Sequence, residues 1–376
     1  MLERVRLLED VRQLPPASWS ALTKGRPGLQ LEFMRVLAGP HGGDRPLAVF
    51  LVEDERGLAA AALCARIGAS AGRNELDACL FGRGARIARA TGGSTGPLLF
   101  FSQPMLASCS VVVRPGAGYA ESRRLLGTLL DEIEATAERR GCGIAFRGMT
   151  PDDDGPLIEV LRDRGYLETE GAPTTRLDVC WQDLEGYITH LRERSRSAAS
   201  KARNELNKSR RGGTVIRRVA TSPEVARTLR SIASEHYRRK NGEDPDYPED
   251  LFVGLAATLP EDFIIFEARR GERLLGMASM LRNGPVAWAS WMGMLDNEAR
   301  QDFTYFNLCY YQVAAEAPAL GIRKILYGTT AYAAKLQRGC VLVTNPVLYR
   351  PHARLTRLLA RPYVRFHREW YRRKFV

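Results

Sequence analysis

Apolar positions in this 376-residue chain fall into two successions of the same kind. Residues 1–40 predict a helical lead-in with a turn at Pro15-Pro16-Ala17-Ser18-Trp19. The apolar runs 47–54 and 58–67 flank Glu55-Arg56-Gly57 and predict a β-hairpin. The Gly-rich segment 68–104 predicts no element. Then 105–113 reads as a strand, 114–118 as a turn, 119–141 as an amphipathic helix and 142–149 as a strand; 156–166 reads as a short helix and 174–181 as a closing strand. The second succession has a strand at 215–220, helices at 223–241 and 251–259, and a hairpin over 263–281 turning at Arg270-Gly271-Glu272. A strand at 286–295, a helix at 303–321 and a strand at 324–329 complete it. The expected class is α/β, with two similar domains covering 1–180 and 181–376.

Between the successions, residues 188–211 contain no Pro or Gly and are closed by Gly212 and Gly213, so one helix is expected over 184–211. Leu184, Ile188, Leu191, Ala198, Ala202 and Leu206 form its apolar stripe. Arg192, Arg196, Ala199, Arg203 and Arg210 follow a neighbouring line. Lys201, Lys208 and Arg211 add further charge. A second basic run ends the chain: residues 354–376 hold Arg357, Arg361, Arg365, Arg368, Arg372 and Arg373 interleaved with Tyr363, Phe366, Trp370, Tyr371 and Phe375. The chain's net charge is +12, and the two runs together carry all of that excess. Charge concentrated in this way fits a polyanionic partner, and aromatic rings among arginines fit an RNA that is both stacked and neutralised. The plainer alternatives are a solvated basic face for the first run and an amphipathic helix packed on its own domain for the second.

Seven dispersed cysteines form no CxxC pair and five histidines no HxxxH spacing, so neither a disulfide framework nor a metal site is expected. No run of about 18 apolar residues could span a membrane. The N-terminus lacks the apolar core of a secretion signal, and a cytoplasmic location is expected.

A hairpin, a strand running into a helix, and another strand resemble the order of the GNAT acyltransferase fold. Two copies with a basic helix near the join resemble the Fem-type peptidyltransferases and their FemAB-like relatives. The phrases LRERSRSAASKARNEL, HYRRKNG, FNLCYYQ and YGTTAYAAKLQRG carry that resemblance over about 181–350, the last with Gly328, Lys335, Arg338 and Gly339. Many relatives have a His before the lysine; Ala334 stands there here, so no role of that His carries over. The resemblance implies transfer of an amino acid from aminoacyl-tRNA to an amine, with no resident cofactor. Amide formation requires a deprotonated acceptor amine, a stabilised oxyanion and a protonated leaving oxygen.

The catalytic candidates are therefore Lys335, Asp296, Tyr305 and Tyr332, and the substrate-binding candidates are Arg338, Tyr310, Tyr237 and Lys240. Lys335 and Arg338, three residues apart, could project together from one helical turn towards a phosphate or carboxylate. They could also be a surface pair, and the FNLCYYQ aromatics could be core packing. A pyrophosphate-binding loop needs glycines at a helix N-terminus. The second-domain loop 296–302 has three acidic residues and no glycine, whereas 114–118 is a partial match. Acyl-CoA is thus a less suitable donor than tRNA. An acyl carrier protein would also fit the arginines, and a non-catalytic RNA-binding protein remains the alternative from another class. The acceptor would be an amine on a small molecule, a peptide or a cell-wall precursor.

Overall fold

The computed structural model describes residues 3–39, 47–67, 97–103, 105–106, 108–245, 247–248, 250–295, 302–352, 361–362, 364–366 and 368–369. In chain order, β1 (Arg4–Leu8) is followed by α1 (Pro16–Leu22), α2 (Leu31–Leu37), β2 (Leu47–Asp54), β3 (Gly57–Ile67), β4 (Leu98–Phe101) and β5 (Val111–Val113). Next come α3 (Tyr119–Arg139), β6 (Gly143–Phe146), α4 (Pro151–Asp163), β7 (Leu167–Asp178), α5 (Leu184–Arg194) and α6 (Arg196–Arg211). The chain continues through β8 (Thr214–Val219), α7 (Pro223–Asn241), α8 (Leu251–Thr258), β9 (Phe263–Arg270), β10 (Arg273–Asn283) and β11 (Val286–Met294). Helix α9 is composite, formed by Thr304–Phe306, a π-helical turn Asn307–Tyr311 and Gln312–Glu316. Strand β12 (Lys324–Gly328), α10 (Tyr332–Leu336) and β13 (Val341–Arg350) follow.

These elements form two compact units that interleave in sequence. The first comprises residues 1–23, 44–174 and 343–376, the second 24–43 and 175–342. The expected division at residue 180 therefore moves to Thr174/Thr175 and changes in two further places. Of the described residues, 24–39 belong with the second unit, and those from Val343 onward belong with the first. Strand β13 explains the second change, because its Leu348, Tyr349 and Arg350 pair with Phe146, Ala145 and Ile144 of β6. Pro346 sits within that strand and, having no N–H to give a ladder, hides it from a pattern search.

In the first unit β1 pairs antiparallel with β2, β2 with β3, and β3 with both β4 and β5; β4 then runs parallel to β6. The expected helical lead-in holds as α1 and α2 but is preceded by β1, whose alternating RVRLL pattern matches an edge position, and the turn expected at 15–19 is instead the start of α1. Helix α3 buries Leu125, Leu126, Leu129, Leu130 and Ile133 against Phe101 and Phe146, whose rings stack at 4.7 Å. Each such side chain contributes roughly 1.5–3 kcal/mol of burial.

The second unit repeats the plan. Hairpin β9–β10 is antiparallel, β10 pairs with β11, and β11 runs parallel to β12 with α9 between them. Strand β8 adds to β9, and the last residues of β7 pair with β12. Each unit therefore holds a hairpin, a strand, a helix and a parallel strand, the tandem α/β arrangement that the apolar pattern predicts. Gly293 lets α7 lie close over β11, because a Cβ there would fall 2.4 Å from the carbonyl oxygen of Ile232. That approach brings the last turns of α7 to the end of β11. Among the described residues, no helix is long and apolar enough to cross a membrane.

Candidate active site

The parallel pairing of β11 with β12 covers only Val286–Trp288 against Lys324–Leu326. On its other side, the register of β11 with β10 shifts between Ala278 and Met280. At that bulge the Ser279 hydroxyl accepts the Trp291 N–H at 3.2 Å and lies 2.9 Å from the Ser290 hydroxyl. A bulge re-aims a strand locally. Beside it opens a cavity of about 1220 Å³, lined from β10 and β11, the end of α7, the first turns of α9, and the segment from Tyr327 to Lys335.

Three non-glycine residues among those described have positive φ: Met105, Phe303 and Ala331. The last two line this cavity. Each left-handed residue costs on the order of 1–3 kcal/mol, and such positions concentrate at functional sites. The π turn, another feature common at such sites, decides which tyrosine faces where. Tyr310 lines the cavity and stacks on Tyr327 with centroids 5.0 Å apart. Tyr311 instead turns to the Glu205 carboxylate at 2.5 Å.

Lys335 reaches the cavity from α10 although the residue is only 4% exposed. Its Nζ donates to the carbonyl oxygens of Tyr327 at 2.5 Å and Gly328 at 3.2 Å. Burial, opposed by Cys340 and aided to a lesser degree by the charge of Lys240, lowers its pKa to about 8. Near neutral pH the ammonium form predominates but gives up its proton more readily than an ordinary lysine.

Arg338 does not join Lys335. It is 1% exposed and its Nη2 meets the Glu205 carboxylate at 2.6 Å, while Nη1 donates to Ala334 O at 2.7 Å. Its guanidinium lies 3.5 Å from the centroid of Phe306, a lining residue, and 5.4 Å from that of Tyr310. The expected phosphate-gripping arginine is thus a buried support behind the aromatic wall. The reason is Glu205, which takes that charge from within the basic helix.

The basic helix is also corrected. It is two helices, α5 and α6, broken at Ser195, whose φ of −161° is extended and whose hydroxyl caps the Ala198 N–H at 3.3 Å. The break resets the register, so Ala199, Ala202, Glu205 and Ser209 are buried in α6, and Ala199 leaves the cationic line for the core. The pair of helices holds the segment carrying Lys335. The Tyr187 hydroxyl donates to Arg338 O at 2.8 Å, Arg194 to Gly339 O at 2.9 Å, and Lys201 to Gln337 at 2.6 Å. Arg203 pairs with Glu185 at 2.9 Å, and Lys208 lies 5.3 Å from the Phe303 ring centroid. Arg192, Arg196, Arg210 and Arg211 are exposed.

Of the other candidates, Tyr305, Tyr310, Tyr237 and Lys240 all line the cavity with Lys335. Burial pushes Tyr305 up to about 12 and Tyr310 still higher, so both are neutral hydroxyl donors rather than bases. Tyr332 is partly buried and is not among the lining residues. Asp296 lies outside the described residues, as do Arg357, Arg372 and Arg373. In the C-terminal run Arg361 and Arg365 are exposed, whereas Arg368 meets Glu168 at 3.2 Å and Glu170 at 3.9 Å. Val364 is buried with Leu98, Ala145, Val347 and Tyr349, so part of the run belongs to the core of the first unit. Among the described residues, no three His, Cys, Asp or Glu side chains are grouped to hold a metal.

Residues 196–336 match the acetyltransferase (GNAT) domain family. FemX superposes with a TM-score of 0.63 at 11% identity, covering 94% of this chain and 100% of its own. A conserved protein of unknown function from Bacteroides thetaiotaomicron gives 0.58 at 10% identity, over 92% of this chain and 100% of its own. The chain has a GNAT/Fem-type fold. The C-terminal domain of a putative lysylphosphatidylglycerol synthetase from Agrobacterium fabrum gives 0.53 at 12% identity, over 94% of each chain. No curated protein matches by sequence. The domain match supports an acyltransferase.

Within the GNAT-matched region, the helix that follows the central strand is α9, and its first amide is already engaged. Asp302 accepts the Thr304 N–H at 3.1 Å and the Thr304 hydroxyl at 2.6 Å, and it also pairs with Arg270. A phosphate at that helix start would meet a carboxylate. The corresponding helix of the first unit, α3, starts differently. Gly118 is its N-cap without a side-chain cap, Gly116 has φ +80°, and Arg114 pairs with Asp54 at 2.6 Å. Glu205, Ser279 and Trp291 are not among the candidates that the sequence pattern picks out. Glu205, an acidic residue inside a cationic run, was the one signal available.

Proposed function

We propose that the chain is an N-acyltransferase that forms an amide in the cavity of the second unit, taking an aminoacyl group from tRNA. The observation that carries acyl transfer is Lys335. It is a buried ammonium, fixed by two carbonyl oxygens, with its pKa lowered to about 8, at the wall of a cavity sized for a substrate. Such a group stabilises the oxyanion that forms as an amine attacks an ester carbonyl. The C–N bond forms, the C–O bond to the ribose oxygen breaks, and the ammonium can supply the proton that this oxygen takes. The proton lost by the attacking amine goes to solvent or to the neutral lysine left behind. Tyr305 and Tyr310, held neutral by burial, supply hydroxyls for orientation.

Asp302 supports tRNA as the donor. A carboxylate at the start of α9 is unfavourable for a CoA pyrophosphate, whereas an ester on a tRNA end needs no phosphate there. The exposed cations Arg192, Arg196, Arg210 and Arg211 would engage the tRNA backbone. A second reading, acyl-CoA as donor, is favoured by the Gly116 and Gly118 turn before α3. Turnover of an amine acceptor with charged tRNA, a CoA thioester and a carrier-bound acyl group as alternative donors tests all of this. Product from charged tRNA alone is expected. Product from the thioester alone overturns the tRNA donor, and no product from any donor leaves a binding protein.

A further inference from the structure

The cavity of the second unit has an electrostatic asymmetry that acyl transfer by itself does not require. Its described lining includes the cationic side chains of Arg239, Lys240 and Lys335, and no carboxylate side chain among the described residues. Arg239 is fixed by the carbonyl oxygens of Met294 and Leu295. Among the described residues its carboxylate partner is Glu235, 3.9 Å away on the same helix, with both side chains about half exposed, a geometry worth little in water. Lys240 is exposed at the end of α7 and Lys335 is buried inside, so the cations run from rim to interior. The wall between is apolar and aromatic, with Tyr237, Tyr247, Trp291, Met292, Tyr305 and Phe306.

We infer that this cavity is an anion-binding site whose ligand is the amine acceptor, an acidic molecule that carries a carboxylate or phosphate beside an apolar or aromatic body and lies between Lys240 and Lys335. The inference rests on the acyl-transfer reading for the word acceptor, and on the geometry alone for the anion. Like charges facing one cavity repel in proportion to how far water is excluded, and a bound anion removes that repulsion. Lys240 does act on Lys335 in this sense, since its charge helps to lower the lysine's pKa. Binding of the anion therefore raises the proton affinity of Lys335 and keeps it an ammonium when the acceptor is in place. Arg239 presents its remaining N–H groups at the rim from a fixed position, and the rings and Met292 cover the uncharged part of the ligand.

The test needs no acyl donor, so it can fail while acyl transfer holds, and the reverse. The fluorescent probe 8-anilinonaphthalene-1-sulfonate carries an anion on an aromatic body; N-phenyl-1-naphthylamine has the body without the charge. Both are titrated against the full chain and against Lys240→Gln, an exposed position where the fold is kept. The expected result is that the anionic probe weakens about tenfold in the variant while the neutral one stays within about twofold. Displacement of the anionic probe by hippurate or by phenyl phosphate, each compared with hippuramide, tells a carboxylate from a phosphate head group; either anion acting well below the amide concentration supports the site. Equal affinity of the anionic probe for parent and variant, or displacement by hippuramide at the same concentration as hippurate, overturns it.

Discussion

Two cations three residues apart meet opposite surroundings in this molecule. Lys335 ends at a cavity with its ammonium on two carbonyl oxygens, and burial makes it a weaker base. Arg338, one turn on, ends against the buried Glu205 carboxylate and under the Phe306 ring. One charge faces a space that a reactant can enter; the other is neutralised within the protein. The difference shows that a motif's spacing does not assign a shared role. What assigns it is whether a counter-charge from elsewhere in the chain is already in place.

The largest expected effect separates the two by stability. Arg338→Met leaves Glu205 buried without its cationic partner and should cost about 3–5 kcal/mol, read as a lower denaturant midpoint. Adding Glu205→Leu should recover most of that loss, because the carboxylate's other oxygen has no hydrogen-bond partner and a hydrophobic pair can replace the ion pair. A single variant as stable as the parent would make Arg338 dispensable as a support.

Lys335→Met should do the opposite. Turnover is expected to fall about 100-fold, roughly 2.7 kcal/mol of transition-state stabilisation, while the melting temperature stays at or above that of the parent. Activity within threefold of the parent would remove Lys335 from the chemistry.

The pH response sharpens the same contrast. With Lys335 acting as the ammonium, kcat/KM should decline as pH rises through about 8, and Lys335→Met should lose that limb. Stability should move the other way. Above about pH 8 the folded chain releases the Lys335 proton while the unfolded chain keeps it up to about 10.4, so this lysine adds stability as pH rises across that window, by at most about 1.4 kcal/mol per pH unit. Urea titrations at pH 7.5 and 9.5, parent against Lys335→Met, read the difference.

The smallest effect concerns the outer charges. Arg361 and Arg365 are exposed, whereas Arg368 is held by Glu168. For tRNA binding, Arg361→Gln with Arg365→Gln should reduce the log–log salt slope by about one to two units, and Arg368→Gln should leave it nearly unchanged. Equal slopes in all three proteins would place the tRNA contact elsewhere.

Local pattern and tertiary structure divided the determination of this protein in a way that follows from the range of each force. The hairpins, α3 and α7 were readable because period-2 and period-3.6 apolar spacing acts within a few residues, and each of these elements buries a full face. The doubled succession of elements, and with it the fold, came from that pattern. Lys335, Tyr310, Tyr237 and Lys240 were identifiable as residue types in suggestive phrases, and they share one cavity. The break at Ser195 was written in its capping side chain, yet an unbroken polar run masked it. Tertiary structure alone decided that Glu205 pairs with Arg338 across 133 residues, that the π turn sends Tyr310 and Tyr311 in different directions, and that β13 joins β6 of the first unit. Those outcomes depend on which charges and strand edges meet after distant segments fold together, and neighbour spacing carries no record of that.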